Sequence, residues 1–372
     1  LAPSILEKFD GRYKKVVLVL VDALGFSHFQ RMMEAGRAEF WRENLDKANL
    51  FPITSVSPST TSSALTTLWT GTAPNQHGYI GYEMWLKELS MVINTILQTP
   101  TSFAGDMGGL SRAGFDPESF LGIRLLGEQF APHGIESHAF MPYTIGNSGL
   151  SRMHLSQTIL HGYVAESDLW ANLRDTLNAR PNHPRFLYVY WNTLDTLIHR
   201  YGPDDERVTN QFADFSRALQ INFFDGLEDW TRKDTLLLLT ADHGAITTPP
   251  DDTYNLSAYP ELASGLRILP TNESRLPFLY LKPGMERVVR EEIEAAWLEK
   301  FSVITGEEAI AMHLFGNGAD HPGLTDRVGD LVMIPHGSAY LWWPNRANTM
   351  QGRHGGLNPD EMLIPLYALP LG

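Results

Sequence analysis

Six residues of two kinds, Asp22, Asp195, His199, Asp242, His243 and His354, have types and spacings that could hold metal ions. Three carboxylates and three imidazoles suit divalent transition metals with mixed oxygen and nitrogen ligands. Asp195 and His199 are four residues apart, so on a helix they share one face and can reach one ion. Asp242 and His243 are adjacent and can converge at a strand end followed by Gly244. His354 lies in Gly352-Arg353-His354-Gly355-Gly356, where glycines let the backbone approach a crowded site. The segment Pro58-Ser59-Thr60-Thr61-Ser62-Ser63 adds candidate alcohol nucleophiles. Two metals beside an alcohol suit in-line displacement at phosphorus. Each signal also has a structural use, Asp22 as a helix N-cap for instance; the combination carries the chemical reading.

The elements around these residues fit that reading. Lys15 to Val21, Phe186 to Trp191 and Thr235 to Thr240 are apolar runs of strand length, the pattern of strands covered on both faces. Each is followed within a few residues by one of the three aspartates, and ligands of open α/β sheets bind beyond the carboxyl ends of the strands. Helical patterns lie between the strands: Phe26 to Gly36, Asp205 to Leu227 and Glu286 to Phe301. The alternation predicts an α/β domain with a mostly parallel sheet. Thr247 to Gly265, rich in Pro, Asp and Thr, reads as a surface loop, and 247–346 as an insertion within a single domain spanning 1–372. Ser57 to Gly71 reads as a helix opened by Pro, Ser and Thr and closed by Gly71. A hydroxyl at its N-terminus would sit where backbone N–H groups favour a phosphoryl group. Sequence alone leaves Ser59, Thr60, Thr61 and Ser62 as candidates.

The 372 residues are 43% hydrophobic and 19% charged, with formal net charge −14 and no cysteine. A nucleic-acid polymer or an anionic membrane surface is therefore not an expected partner, since both need a basic face. Disulfides and thiolate metal sites are excluded. No apolar run is long enough to span a bilayer, and the compartment, cytoplasmic or exported, stays open, as does the oligomeric state.

The chain resembles the alkaline phosphatase superfamily and, within it, the type I phosphodiesterase/nucleotide pyrophosphatase branch. The resemblance rests on Val19-Leu20-Val21-Asp22-Ala23-Leu24-Gly25; the Ser/Thr segment ending in Thr70-Gly71, with Pro74 and His77-Gly78 after it; Asp195 to His199; Thr240-Ala241-Asp242-His243-Gly244; and the His354 loop. It implies a three-layer α/β/α sandwich with a small cap and two divalent cations, commonly zinc, with manganese or iron suited to the same donors. Counting back from Thr70-Gly71 puts the family's nucleophile on Thr61, with Thr60 as its rival. One cation would then be held by Asp22, Thr61, Asp242 and His243, the other by Asp195, His199 and His354. The implied activity is hydrolysis of a small phosphodiester or pyrophosphate-type substrate through a phosphothreonine. A phosphomonoesterase, a phosphonate hydrolase, a phosphomutase or a silent binding protein with this fold are the other readings.

One departure from the family pattern bears on substrate. Relatives place an Asn shortly after His-Gly, whereas here His77-Gly78-Tyr79-Ile80-Gly81 leads to Tyr82. A phenol donates one hydrogen bond and is longer than an amide. Tyr82 and Thr60 are candidates for substrate contact. Further candidates for lining the pocket are His138, Tyr143, Asn147, His154, His321 and His336, and Met84 with Trp85 as an apolar wall.

Overall fold

The computed structural model describes residues 13–103, 109–180 and 182–372. Its main sheet has seven strands in the spatial order Asn49–Thr54, Leu363–Pro370, Thr235–Thr240, Lys15–Val21, Arg185–Trp191, Glu136–Pro142 and Thr158–Tyr163. All run parallel except Leu363–Pro370, which is antiparallel to both neighbours. The three apolar runs seen in the sequence are its three central strands. Lys15–Val21 pairs with Arg185–Trp191 on one side and with Thr235–Thr240 on the other.

Strand geometry explains why that central strand is apolar throughout. Successive side chains point to opposite faces. Val17, Val19 and Val21 enter one core, with Phe29, Trp41 and Phe212 from covering helices. Leu18 and Leu20 enter a second core, with Leu65 and Trp69 of the helix Thr61–Thr70. Burial on both faces leaves no position for an alternating polar residue, and the result is the expected α/β/α layering.

A second seven-stranded sheet runs Phe301–Thr305, Leu331–Pro335, Leu276–Leu279, Thr271–Glu273, Glu83–Leu86, Met91–Asn94 and Thr99–Pro100. The expected insertion thus builds only part of this cap, and residues 83–100 complete it. The cap is not self-contained: Met84, Phe278 and Val332 share a core with Leu18, Leu20 and Tyr188 of the main sheet.

Several expected element bounds shift. The helix expected over Glu286 to Phe301 ends at Ala296, because Trp297 leaves helical geometry to bury its ring and Phe301 opens a cap strand. The helix after Asp205 runs Glu206–Leu219 and continues as a π-helical turn over Gln220–Phe224. The loop expected over Thr247 to Gly265 contains the short helix Pro260–Gly265, since proline at a first helical position loses no hydrogen bond.

Buried histidines make this fold acid-sensitive. Burial lowers His28 to about 4 and His77 and His154 to about 3, from an ordinary value of 6.5. The folded chain keeps them neutral, whereas the unfolded chain takes up protons near pH 6.5. Their contribution is therefore complete above about pH 6.5 and is lost as pH falls toward 3–4, by up to about 1.4 kcal/mol per pH unit for each histidine. The urea midpoint is expected to fall clearly between neutral pH and pH 5. An unchanged midpoint would mean these imidazoles are already charged in the fold.

Candidate functional site

All three aspartates lie where the central strands end. Asp22 follows Val21, Asp195 lies in the first turn of the helix Thr193–Tyr201, and Asp242 lies two residues past Thr240. Backbone strain and close packing set their directions. Ala23 has φ of 65°, a left-handed conformation that costs an alanine about 1 kcal/mol, and its N–H donates to Asp242 Oδ1 at 3.1 Å. Gly244 packs so closely that an added Cβ would lie 2.8 Å from Gly25 Cα and overlap the Asp360 carbonyl. At Gly352 an added Cβ would stand 2.7 Å from the Ile198 carbonyl oxygen, so glycine brings the His354 loop against the helix carrying Asp195 and His199.

The six side chains meet. His199 Nε2 is 3.3 Å and His354 Nε2 3.8 Å from Asp195 Oδ1. His243 Nε2 is 3.4 Å from Asp22 Oδ1 and 3.6 Å from Asp242 Oδ2. The His243 and His354 rings stack at 3.7 Å. Two donors on one tetrahedral zinc, each about 2.0–2.1 Å from it, would be about 3.3–3.4 Å apart.

The outer atoms of these side chains are already engaged. Nδ1 of His199 faces the Gly352 carbonyl at 2.9 Å, that of His243 the Gly244 carbonyl at 3.0 Å, and that of His354 the Ser59 carbonyl at 3.1 Å. A carbonyl only accepts, so each Nδ1 carries the proton and each Nε2 offers a lone pair inward. Burial, then the neighbouring His243 and His199, holds His354 well below its ordinary value, as a neutral ligand requires. Asp242 Oδ1 also accepts from the His243 N–H at 3.0 Å, and Asp22 Oδ2 accepts from the Tyr190 hydroxyl. Asp22 Oδ1, Asp195 Oδ1 and Asp242 Oδ2 are buried with no hydrogen-bond partner among the described residues. Burial first, then the Asp242 and Asp195 charges, raises the Asp22 carboxyl well above its ordinary value. Unpaired acceptors converging out of water are unfavourable unless a cation joins them, so the donor set fits divalent metals.

Among the described residues, two three-residue groups could each hold an ion, Asp195 with His199 and His354, and Asp22 with Asp195 and His243. Asp195 enters both, whereas the sequence reading gave it to one. Asp242 is absent from these groups, yet its unpaired Oδ2 faces His243.

The hydroxyl segment separates its candidates by their partners. Ser59 Oγ donates to the Gly356 carbonyl at 2.8 Å, Thr60 Oγ1 to Glu273 at 2.5 Å, and Ser62 Oγ to the Gly81 carbonyl at 2.7 Å. Thr61 Oγ1 alone of the four lies against the cluster, 3.3 Å from His243 Nε2. Thr61 also opens the ten-residue helix Thr61–Thr70, whose N-terminus has no side-chain cap.

A cavity of about 320 Å³ holds Thr60, Thr61, Tyr82, Asp195, His199 and His354 together. Tyr82 is thus at the site, and Thr60 reaches it with its hydroxyl committed to Glu273. Burial, opposed by that Thr60 bond, pushes the Glu273 carboxyl up to about 8. Of the other sequence candidates, His138 pairs with His161 and His336 with Ser302, Met84 is core, and His154, bonded to Thr66, lines a smaller cavity that also has Thr61 and Tyr190 in its wall.

Sequence reasoning missed Tyr190, Glu273, Trp342, Trp343 and Arg346. Of these, Tyr190 touches a candidate ligand directly. Its ring is in the core, and its hydroxyl fixes the Asp22 carboxylate from outside. Tyr190→Phe is expected to weaken metal binding roughly tenfold. Tyr188→Phe, which removes a buried hydroxyl without a hydrogen-bond partner among the described residues, should change it little. Zinc titration of both variants checks this, and equal affinities would assign the Tyr190 bond to packing alone.

Comparison with known proteins follows the same lines. None of the curated proteins is significantly similar in sequence. Among solved structures, human ectonucleotide pyrophosphatase/phosphodiesterase 5 superposes with a TM-score of 0.70 at 16% identity, over 95% of this chain and 87% of that one. The murine protein gives 0.67 at 17% identity, over 95% and 87%. Phosphonoacetate hydrolase from Sinorhizobium meliloti, in complex with phosphonoformate, gives 0.68 at 16% identity, over 96% and 90%. The family model for type I phosphodiesterase/nucleotide pyrophosphatase matches residues 16–357. The chain therefore belongs to the type I phosphodiesterase/nucleotide pyrophosphatase family, phosphate-ester hydrolases of the alkaline phosphatase superfamily.

Proposed function

We propose that the protein hydrolyses a small phosphodiester or pyrophosphate-type bond through a phosphothreonine on Thr61, with two divalent cations, zinc being the first choice and manganese or iron suited to the same donors. One observation supports this above the others: three unpaired carboxylate oxygens and three inward Nε2 atoms converge beside the one hydroxyl of its segment that faces them. Asp22, Asp242, His243 and Thr61 would hold one ion, and Asp195, His199 and His354 the other, with Asp195 close enough to contact both. The cations, when bound, would lower the pKa of the threonine hydroxyl and stabilise charge on the phosphoryl and departing oxygens.

The chain's own residues supply the rest. Thr61 Oγ1 attacks phosphorus as the bond to one ester oxygen breaks, leaving the remaining phosphoryl group on Thr61. Water then opens that ester and restores the hydroxyl. Backbone N–H groups of the first turn of Thr61–Thr70 face the phosphoryl oxygens and favour their charge. Tyr190 and the three backbone carbonyls keep the ligand atoms aimed inward through both steps.

A murine structural neighbour is described as inactive when a threonine is replaced by alanine, and as binding AMP; a similar loss is expected here for Thr61. Phosphonate cleavage would use the same core, but the carboxylate of a substrate such as phosphonoacetate would face Glu83 and Glu273 with Arg346 as the counter-charge among the residues lining the cavity. The test compares an aryl phosphodiester with the matching monoester in metal-replete protein. Faster turnover of the diester supports the proposal; preference for the monoester overturns the diester assignment, and no turnover of either overturns the hydrolytic one.

A further inference from the structure

The loops that carry the candidate ligands meet again at the short helix Pro359–Met362. The Asp360 carbonyl packs against Gly25 and Gly244, where an added Cβ would lie 3.1 Å from it or overlap it. These glycines follow Asp22 and His243 in their loops. The Glu361 carbonyl accepts the Gly244 N–H at 2.8 Å, and the Met362 carbonyl accepts the Ser55 N–H at 2.7 Å. Glu361 reaches the third loop with its side chain: Oε1 accepts the N–H of Gly356, two residues past His354, at 3.0 Å. Ser59 holds the same loop from the nucleophile segment, its Oγ donating to the Gly356 carbonyl at 2.8 Å and accepting the Gly355 N–H at 3.2 Å. Gly355, at φ of 108°, and Gly356 bring no side chain to fix the loop, so its place depends on these bonds.

Glu361 is itself fixed by the cap. Arg275, between the cap strands Thr271–Glu273 and Leu276–Leu279, donates from Nη2 and Nε to its two carboxylate oxygens at 2.7 and 3.1 Å. Arg275 Nη1 donates to the Ala339 carbonyl. Both side chains of this pair are 0% exposed. In the other Lys or Arg ion pairs among the described residues at least one partner reaches water. A buried ion pair is a costly way to join two elements, since apolar residues of similar volume often hold them as well or better. Here the carboxylate has a task no apolar residue can perform. It satisfies the N–H of a buried glycine in the loop of a candidate metal ligand, which would otherwise lack an acceptor.

We propose that Glu361 is a positioning residue for the metal centre that uses His354: its carboxylate, paired with Arg275, sets the His354 loop before any cation binds. The proposal rests on the two-cation reading of the site and adds to it the groups that fix one of its halves. The His243 loop is tied to the Glu361 backbone carbonyl instead. Loss of the carboxylate should therefore weaken one centre and spare the other.

Removing one charge alone would leave its partner buried and unpaired and endanger the fold, so the test compares two double variants. Arg275→Met with Glu361→Gln keeps an amide oxygen for the Gly356 N–H. Arg275→Met with Glu361→Met removes that acceptor at similar volume. Each is titrated with zinc by calorimetry and melted in chelator. The first should bind zinc at both centres with affinities close to the parent's. The second should lose about 10–100-fold at one centre, the range for groups that orient metal ligands, with the other unchanged. Equal zinc affinities in the two variants overturn the proposal even where their melting temperatures differ, because a bond that serves folding alone would move only the melts. Equal weakening of both centres in the second variant also overturns it. A parent protein that takes up no zinc overturns the two-cation reading, and the proposal with it. If the double variants do not fold, hydrogen exchange of the parent protein in chelator decides. The peptide containing Gly356 should stay protected without cations, and exchange at the rate of an open chain overturns the proposal.

Discussion

Thr61→Ala is expected to lower kcat/KM by roughly 10⁴-fold or more, the scale of loss when a nucleophile is removed from a site whose binding groups remain. The size of the effect follows from the neighbours. Ser59, Thr60 and Ser62 hold other partners, the Gly356 carbonyl, Glu273 and the Gly81 carbonyl. None can turn to the cluster without breaking a hydrogen bond that is buried or partly buried. Thr61 sits at the first position of its helix, where alanine is tolerated, so the fold should survive the change within about 1 kcal/mol. Thr61→Ser should keep a substantial part of the rate. Thr60→Ala should behave in the opposite way: it leaves the Glu273 carboxyl without its 2.5 Å donor and should lower stability by about 1–3 kcal/mol, while turnover falls far less than with Thr61→Ala. Steady-state kinetics and thermal melts on the same preparations check both. Turnover retained by Thr61→Ala and abolished by Thr60→Ala would move the nucleophile to Thr60.

Metal removal should produce the second large effect, on stability as well as on activity. Without cations the buried site gathers three carboxylates whose inward oxygens have no hydrogen-bond partner among the described residues. Cations that bind only the folded chain stabilise it by mass action, about 2.7 kcal/mol at a free concentration 100 times Kd. Chelation should therefore abolish turnover and lower the melting temperature, and added zinc should restore both. Asp22→Asn separates attraction from repulsion. Asp22 is 3% exposed, and burial first, then the Asp242 and Asp195 charges, raises its carboxyl, so a neutral isostere should leave the chelated protein as stable as the parent or more so, while removing most of the rise that zinc gives. Identical melting curves for the parent protein with chelator and with zinc would contradict a metal site here.

The parts of this account legible in the sequence share a physical cause. Strands buried on both faces must be apolar at every position, so Lys15 to Val21, Phe186 to Trp191 and Thr235 to Thr240 stood out, and with them the aspartates that follow. Asp195 and His199 were readable because helical spacing fixes their relation locally. The choice among the four hydroxyls was not, since it depends on partners distant in the chain: Gly356 for Ser59 and Glu273 for Thr60. Tyr190 reads as one more core aromatic on a buried strand, and only the fold brings its hydroxyl to Asp22. The cap eluded a segmental reading because strands from 83–100 pair with one at 271–273, and strands this short carry little periodicity. The cavity wall has the same origin, three separate segments meeting around Trp343 and Glu83.

The central claim is that Thr61 carries the phosphoryl group between two half-reactions. Acid-quenching the metal-replete protein during turnover of an aryl phosphodiester, followed by peptide mass spectrometry, tests it most directly. The account predicts a phosphoryl-ester adduct on the peptide containing Thr61, localised to that residue and absent from Thr61→Ala. An adduct on another residue, or none while turnover proceeds and the quench is shown to preserve phosphothreonine, would contradict it.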